Sequence, residues 1–291
     1  MGLRRPEQFS HHFAKLGEIT LHYVREGAGP ALVLVHGWPG FWWEWHRTIG
    51  PLAAHFEVIA LDMRGYGDSE KPDPSRIELY QTDRVVGDIA ELLDHLKIER
   101  ALFAGHDYGA IVLHKLVREH RARVERAVII NPVVPGFDER YMSAAHFAES
   151  WYAKFHQLDM AVELVSSSRA ACRAYYGHFL SHWSSDKGLF SDEEIEIYTD
   201  NYMKPGNILG GFNFYRAGQR KTWNNLDYTV SDCPVTFLQG LDDPCIPSAW
   251  TDLVTRWYTN YTIEYLPRCG HFAMREQPEL VVDRIRRAGR A

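Results

Sequence analysis

The stretch that decides the fold reads Gly105-His106-Asp107-Tyr108-Gly109. Two glycines flanking a central residue allow a sharp turn from a strand into a helix, and such a turn exposes the central side chain as a nucleophile. The apolar run at 100–104 and the helical sequence at 110–120 supply that strand and that helix. Most such turns carry serine at the centre. We therefore expect Asp107 to be a nucleophile that attacks carbon and forms an enzyme ester, its carboxylate kept ionised by the helix dipole.

Alternating strand and helix patterns extend outward from this turn. Continuous apolar runs are typical of strands buried on both faces of a parallel sheet, and spaced apolar residues are typical of helices. The patterns predict further strands at 19–25, 31–35, 58–61, 124–130, 234–238 and 261–266. Helices are predicted at 41–55 and 80–96. The sequence therefore predicts an α/β fold with a mostly parallel central sheet flanked by helices.

The alternation stops after residue 134, where the composition becomes aromatic, polar and helical. Helices are predicted there at 161–176 and 191–203. An insert of roughly 85 residues is longer than an ordinary loop. We therefore predict a core in two parts, residues 1–134 and 223–291, and a helical cap subdomain at 135–222. Such an insert would overhang the strand ends, where open parallel sheets place their active sites.

Composition narrows the classes of partner and location. A net charge of −6 gives no reason to expect nucleic acid or an anionic membrane as a partner. No apolar run approaches the ~18 residues of a membrane span, and the first residues lack the apolar core of a secretory signal. The four cysteines lack C-x-x-C spacing, which is typical of reduced thiols. The sequence therefore predicts a cytoplasmic protein, and it leaves the oligomeric state open.

A nucleophilic aspartate needs a base that activates water to release its ester. His271 lies in the loop after the predicted strand at 261–266, and an acid that orients this histidine is expected after the strand at 234–238. Two aspartates, Asp242 and Asp243, follow that strand, and their positions alone leave both open. Ester hydrolysis also needs an oxyanion hole. We expect the backbone N–H groups of Trp38 and Tyr108 to form it, each stabilising the transition state by ~3 kcal/mol.

Four motifs together resemble the soluble epoxide hydrolases of the α/β-hydrolase superfamily. They are His36-Gly37-Trp38-Pro39, Asp62-Met63-Arg64-Gly65-Tyr66-Gly67-Asp68-Ser69, Gly105-His106-Asp107-Tyr108-Gly109 and Cys269-Gly270-His271-Phe272. The resemblance extends over about residues 15 to 288 and is greatest with the bacterial branch. The resemblance to the bacterial branch rests on the segments at 151–160 and 211–216. The resemblance implies an α/β-hydrolase fold with a cap inserted after the sixth strand.

The resemblance also implies roles for single residues. The family's acid is the last aspartate of a G-x-x-D-x-x-x-P pattern, which Gly240, Asp243 and Pro247 match. Two cap tyrosines of the family match Tyr152 and Tyr215, whose implied role is to hydrogen-bond and protonate the epoxide oxygen. A phenol, with a pKa of about 10, stays protonated at neutral pH and suits this role. The implied reaction of an epoxide with water to give a diol needs no metal or organic cofactor.

Two other functions stay open. A hydrolytic dehalogenase would use the same aspartate, but Tyr108, Ile111 and Asn131 depart from the residues that dehalogenases typically carry at these positions. A non-catalytic ligand-binding protein of the same fold would be favoured by a damaged triad, and no member is damaged. An aromatic cap favours a small apolar epoxide as substrate. We expect Trp38, Phe155 and Phe212 to contact it.

Overall fold

A central sheet of eight strands runs through the computed structural model, which describes residues 3–218 and 229–290. The strands in chain order are β1 (His11–Lys15), β2 (Thr20–Glu26), β3 (Ala31–Val35), β4 (Glu57–Leu61), β5 (Ala101–His106), β6 (Val124–Ile130), β7 (Val235–Gly240) and β8 (Tyr261–Leu266). Their order across the sheet is β1-β2-β4-β3-β5-β6-β7-β8. Strand β2 pairs antiparallel with β1 and β4, and the pairings from β4 through to β8 are all parallel. The predicted, mostly parallel sheet is confirmed.

Burial explains which strands the sequence predicts. Every residue of β5 is buried, as are the last four of β3 and of β4, because helices cover both faces of the sheet. The sequence does not predict β1, the edge strand. Only Ala14 of its five residues is buried, so it carries neither an apolar run nor a clear alternation.

Helices flank the sheet and form the insert. In chain order they are α1 (His46–Ala53), α2 (Thr82–His95), α3 (Tyr108–Glu119), α4 (Phe137–Tyr141), α5 (Phe147–Phe155), α6 (Asp159–Ser166), α7 (Arg169–His182), α8 (Asp192–Tyr202), α9 (Asn207–Ala217), α10 (Ala273–Glu276) and α11 (Pro278–Ala288). None of the helices in the described part of the chain is long and apolar enough to cross a membrane.

Two predicted helices differ from the structure, and each difference has a local cause. The helix predicted at 41–55 begins only at His46, after a short 3₁₀ turn at Trp42–Trp45. The backbone N–H of Trp42 donates to Asp62 Oδ1 at 3.0 Å, which holds this turn against the end of β4. The helix predicted at 161–176 is divided into α6 and α7. The hydroxyl of Ser168 accepts from the Ala171 N–H at 3.1 Å and so caps the start of α7.

The insert between β6 and β7 is helical, as predicted, and contains α4 to α9. Its predicted end at residue 222 lies outside the described residues. The insert contacts the loops that follow the parallel strands: the carbonyl of Trp183 accepts from the His271 N–H at 2.8 Å. Gly210 packs against Gly65 so closely that a Cβ at residue 210 would lie 2.0 Å from the Gly65 oxygen. The helices therefore cover the carboxyl ends of the strands, as the cap prediction requires.

We predict that Gly109→Ala destabilises the protein by about 1–3 kcal/mol or more, because the added Cβ would lie 2.3 Å from the carbonyl oxygen of Val35 in β3. The same change at Gly87 in α2, where the Cβ meets nothing within 4 Å, should stabilise the protein by about 0.4–1 kcal/mol. Urea unfolding of both variants measures the two free energies. If both substitutions changed the free energy of unfolding equally, β3 would not be packed tightly against the turn.

Candidate active site

The turn between β5 and α3 presents Asp107. Its backbone has φ 52° and ψ −111°, a conformation that costs a residue other than glycine ~1–3 kcal/mol. The flanking glycines allow the turn because no Cβ would fit: at Gly105 it would lie 2.8 Å from the Gly109 oxygen. The Asp107 carbonyl accepts from the Ala110 N–H at 2.9 Å and so begins α3. The predicted strand–turn–helix is present, with Asp107 at its centre.

The two oxygens of the Asp107 carboxylate face different partners. Oδ1 accepts from the backbone N–H of Trp38 at 2.9 Å, and Oδ2 lies 3.8 Å from His271 Nε2. Burial raises the pKa of Asp107 above its ordinary value, opposed by His271, His106 and the N–H groups of Trp38 and Tyr108. Burial therefore outweighs these neighbouring charges and N–H donors. The structure brings both predicted oxyanion-hole donors to this carboxylate.

His271 lies in the loop after β8, between two carboxylates. Its Nδ1 lies 2.9 Å from Asp243 Oδ2, and its Nε2, which faces Asp107, has no hydrogen-bond partner within residues 3–218 and 229–290. Burial alone would lower the pKa of His271. The charge and hydrogen bond of Asp243, followed by the charge of Asp107, reverse this effect and raise the pKa above its ordinary value. Nε2 is therefore left facing the Asp107 carboxylate.

The structure distinguishes the two candidate acids. Asp243 is buried, and besides His271 it accepts from the N–H groups of Cys245 at 2.8 Å and Ile246 at 3.1 Å. Asp242 is exposed, and its carboxylate accepts from the Ser185 hydroxyl at 2.6 Å instead. Asp243 therefore occupies the position expected for the acid, which agrees with the pattern of Gly240 and Pro247.

Asn131, which follows β6, contacts this acid, although the sequence motifs do not assign it to the site. Its Nδ2 donates to Asp243 Oδ2 and to the His271 carbonyl, each at 2.7 Å, and its Oδ1 accepts from the Gly240 N–H at 3.2 Å. Its φ is 49°, in the left-handed region that asparagine tolerates better than most residues. An asparagine directly after a buried strand and before a proline is the signal that could have found it.

Glu44 is a second residue that the sequence does not single out. Its carboxylate is fully buried: Oε1 accepts from the Gly37 N–H at 3.2 Å, and Oε2 lies 3.4 Å from His106 Nδ1. The Nε2 of His106 lies 2.8 Å from the His271 carbonyl. Within the described part of the chain, Glu44 Oε2, His106 Nδ1 and His271 Nε2 are all buried without a hydrogen-bond partner. Buried polar atoms of this kind are often satisfied by a bound water.

The predicted cap tyrosines lie across the cavity from Asp107. Tyr152 is on α5 and Tyr215 on α9, both buried, with ring centroids 5.6 Å apart at 77°. Burial raises the pKa of both phenols well above the ordinary value, so both stay protonated at neutral pH. The two phenols and Asp107 line one cavity of about 400 Å³.

The cavity has apolar walls and is within the size range of small-molecule sites. The aliphatic and phenylalanine residues of the lining are Ile111, Val133, Phe137, Met142, Ala153 and Ile246, and Glu139 and Lys154 also line the cavity. Of the predicted substrate contacts, Trp38 is buried, and its ring stacks on Tyr152 at 5.0 Å and 9°. Phe212 stacks on His156 at 3.8 Å, and Phe155 packs on Trp151 at 5.8 Å. The described lining of the cavity does not include Trp38, Phe155 or Phe212, so their contact with substrate stays a prediction.

Fold and site together define an α/β hydrolase with an aspartate at the nucleophile position. The α/β hydrolase fold family matches residues 30–278. The soluble epoxide hydrolase of Corynebacterium sp. (strain C12) is 32% identical over 95% of this chain and 96% of its own length. Epoxide hydrolase 2 of Caenorhabditis elegans is 28% identical over 94% of this chain and 78% of its own. The ligand-free structure of the epoxide hydrolase CorEH superposes with a TM-score of 0.86 at 30% identity, over 95% of this chain and 96% of that one.

The chain therefore belongs to the α/β-hydrolase fold family, in its branch of soluble epoxide hydrolases. The family resemblance and the fold predicted from the sequence are both confirmed.

We predict that Asp243→Asn lowers the pKa of His271, because it removes the charge that raises this pKa against the effect of burial. A raised pKa means that protonated His271 stabilises the fold below the unfolded pKa, and that this contribution is lost as the pH rises through the folded pKa. Asp243→Asn should lose much of this stabilisation by protonated His271. NMR titration of ¹⁵N-histidine protein measures the pKa, with the His271 signal assigned by its absence in His271→Ala.

Asp242→Asn is the matched control, because the neighbouring carboxylate bonds to Ser185 rather than to His271. It should leave the His271 titration where it is in the unmodified protein. Equal shifts in both variants would contradict the assignment of Asp243 as the orienting acid.

Proposed function

We propose that the protein is an epoxide hydrolase that converts a small apolar epoxide to a vicinal diol through a covalent ester of Asp107. One observation carries the proposal: a buried carboxylate and two protonated phenols, those of Tyr152 and Tyr215, line the same cavity. An epoxide carbon is a poor electrophile unless its oxygen can shed charge onto a donor. A nucleophile and two proton donors in one apolar cavity meet that requirement.

Ring opening is the first step. Asp107 forms a bond to one ring carbon, and the bond from that carbon to the ring oxygen breaks, with its electron pair staying on the oxygen. The oxygen takes the proton of a phenol hydroxyl, so the negative charge moves from Asp107 to a tyrosine. Since burial disfavours charge at Asp107, forming the neutral ester relieves part of that cost.

Hydrolysis is the second step. Water attacks the ester carbonyl of Asp107 while His271 Nε2 takes its proton, and Asp243 stabilises the imidazolium that results. The N–H groups of Trp38 and Tyr108 stabilise the developing oxyanion. As the ester breaks, the diol leaves and Asp107 becomes a carboxylate again. Hydrolysis releases one proton, which restores the phenol, so the net change is addition of water to the epoxide.

We propose that Glu44 and His106 hold the water used in this second step. Glu44 Oε2 lies 3.4 Å from His106 Nδ1, and the His106 and His271 rings are in contact, with centroids 4.6 Å apart. A water there would find acceptors and donors that the described residues otherwise leave unsatisfied.

The character of the cavity supports an apolar substrate. Its described walls are mainly aliphatic and aromatic, although Glu139 and Lys154 also line it besides Asp107 and the tyrosines. We also propose the division into core and cap at residues 135–222, because α4 to α9 carry both phenols and the sheet carries the nucleophile. A cytoplasmic location stays a proposal, which the four free, buried thiols support.

Dehalogenation would use the same carboxylate and histidine. A departing halide needs N–H donors rather than protons, and the groups opposite Asp107 are phenol hydroxyls. Epoxide opening therefore accounts for the tyrosines, which dehalogenation leaves without a role.

The deciding experiment is turnover of racemic styrene oxide in ¹⁸O-labelled water, followed by mass spectrometry of the diol and of the peptide that contains Asp107. Repeated turnover should label Asp107, while the diol of the first turnover carries unlabelled oxygen from the enzyme. Diol formed without label in Asp107 would mean that water attacks the epoxide directly. A lack of diol from several epoxides, with halide released from haloalkanes, would favour the dehalogenase.

Two variants separate the steps of this mechanism. Asp107→Asn should form no ester, and His271→Ala should form the ester but fail to hydrolyse it, so both lose steady-state turnover. Rapid quenching and mass spectrometry distinguish the two. Wild-type turnover in either variant would exclude the mechanism.

Replacing both Tyr152 and Tyr215 by phenylalanine should slow ring opening by about 10²–10⁴-fold, the usual contribution of a general acid. Each single replacement should cost much less, because one phenol partly covers for the other. Single-turnover rates of ester formation measure the three losses. A double variant with wild-type rates would show that the cap tyrosines do not protonate the epoxide.

A further inference from the structure

A third tyrosine, Tyr141, contacts one of the two proposed proton donors. It is the last residue of α4, it is 9% exposed, and its hydroxyl donates a hydrogen bond to the hydroxyl oxygen of Tyr152. It also lines the cavity that contains Asp107. Neither the sequence motifs nor the mechanism above gives Tyr141 a role.

The packing around the pair fixes both rings. Trp38 stacks flat on Tyr152, while Phe137 stacks on Tyr141 at 4.9 Å and 26°. The two tyrosine rings meet edge to face, with centroids 6.4 Å apart at 84°. The contact between the hydroxyls is therefore built into the cap and does not depend on two mobile side chains.

Each hydroxyl has one proton, and this decides how the pair works. When Tyr152 donates its proton to an epoxide oxygen, the proton between the two phenols must come from Tyr141. Tyr141 can donate in this direction without a substrate contact of its own. A hydrogen bond in the opposite direction would use the Tyr152 proton and leave nothing for the epoxide.

Charge gives the second part of the argument. Ring opening leaves a phenolate on Tyr152 in a buried site, and burial holds the pKa of this phenol well above its ordinary value. Such a charge is costly unless a donor faces it, and hydrogen bonds to charged groups are about twice as strong as neutral ones. The nearest hydroxyl that faces the Tyr152 oxygen is that of Tyr141, and Cys245 Sγ lies further away, at 3.5 Å.

We propose that Tyr141 is a positioning residue for ring opening: it turns the Tyr152 proton toward the epoxide oxygen and then stabilises the Tyr152 phenolate until hydrolysis returns a proton. This inference rests on the proposed function.

A double-mutant cycle tests the role of Tyr141. The substitution Tyr141→Phe is made in the unmodified protein, in Tyr152→Phe and in Tyr215→Phe, and ester formation with styrene oxide is followed by rapid quenching. A lost hydrogen bond to a charged group predicts that ring opening slows by about tenfold or more in the unmodified and Tyr215→Phe backgrounds. In the Tyr152→Phe background the same change should cost less than about twofold, because the residue through which it acts is absent.

Three further readouts separate this role from a merely structural one. The rate of ester hydrolysis and the concentration of epoxide that half-saturates ring opening should change little in Tyr141→Phe, because the defect lies in one proton transfer. The control is Tyr175→Phe, which also removes a phenol that hydrogen-bonds inside the cap, 2.7 Å from His156 Nε2. It should ring-open at close to the wild-type rate, and thermal unfolding should place both variants near the unmodified protein.

Two results would overturn the role of Tyr141. One is a wild-type rate of ring opening in Tyr141→Phe. The other is an equal loss in all three backgrounds, which would mean that the substitution acts on packing rather than through Tyr152. The proposed function itself would be overturned if the unmodified protein formed neither ester nor diol with any epoxide. The unmodified protein is measured first, so this outcome is distinguished from a failure of the role of Tyr141 alone.

Discussion

The backbone of Asp107 is the constraint on which the rest of the site depends. A positive φ at a residue with a side chain is unfavourable, so the neighbouring structure must hold it. It does so by close packing, because the carbonyl of Val35 occupies the space that a Cβ of residue 109 would need. This close packing fixes the position of the turn and of α3 relative to strand β3. The Trp38 N–H, which follows β3, consequently meets the carboxylate that follows β5.

The two buried carboxylates of the site, those of Asp107 and Asp243, have different surroundings. Asp243 accepts from two backbone N–H groups, from Asn131 and from His271, so four donors hold its carboxylate in place beside the imidazole. Asp107 has fewer donors, and burial raises its pKa. A well-solvated carboxylate would be a weak nucleophile, because attack would forfeit its hydrogen bonds. The poorer environment of Asp107 therefore suits attack, and the richer one of Asp243 suits orientation.

The sequence predicts those features whose cause is local. The parallel strands are apolar runs, the turn is five adjacent residues, and the order of nucleophile, acid and histidine is visible along the chain. The missed features depend on contacts between distant residues. Asn131 meets Asp243 across 112 positions, and Glu44 joins the site only because a 3₁₀ turn replaces the start of a predicted helix. The direction in which Phe155 and Phe212 point depends on the orientation of each cap helix about its own axis. The abundance of aromatic residues in the sequence does not specify this orientation.

The division of the site between sheet and cap explains one more set of contacts. Asp107 and His271 follow strands, whereas Tyr152 and Tyr215 lie on cap helices, so the cap must keep its place for the phenols to reach an epoxide held by Asp107. Buried Arg275 of α10 pairs with buried Glu194 of α8, and the close approach of Gly210 to Gly65 leaves no room for a side chain. Breaking a buried ion pair leaves an uncompensated charge, so this pair resists separation of cap and core. The hydrogen bond from the His271 N–H to Trp183 connects the base itself to the cap. The contacts that hold the cap therefore also set the distance between nucleophile and proton donor, on which ring opening depends.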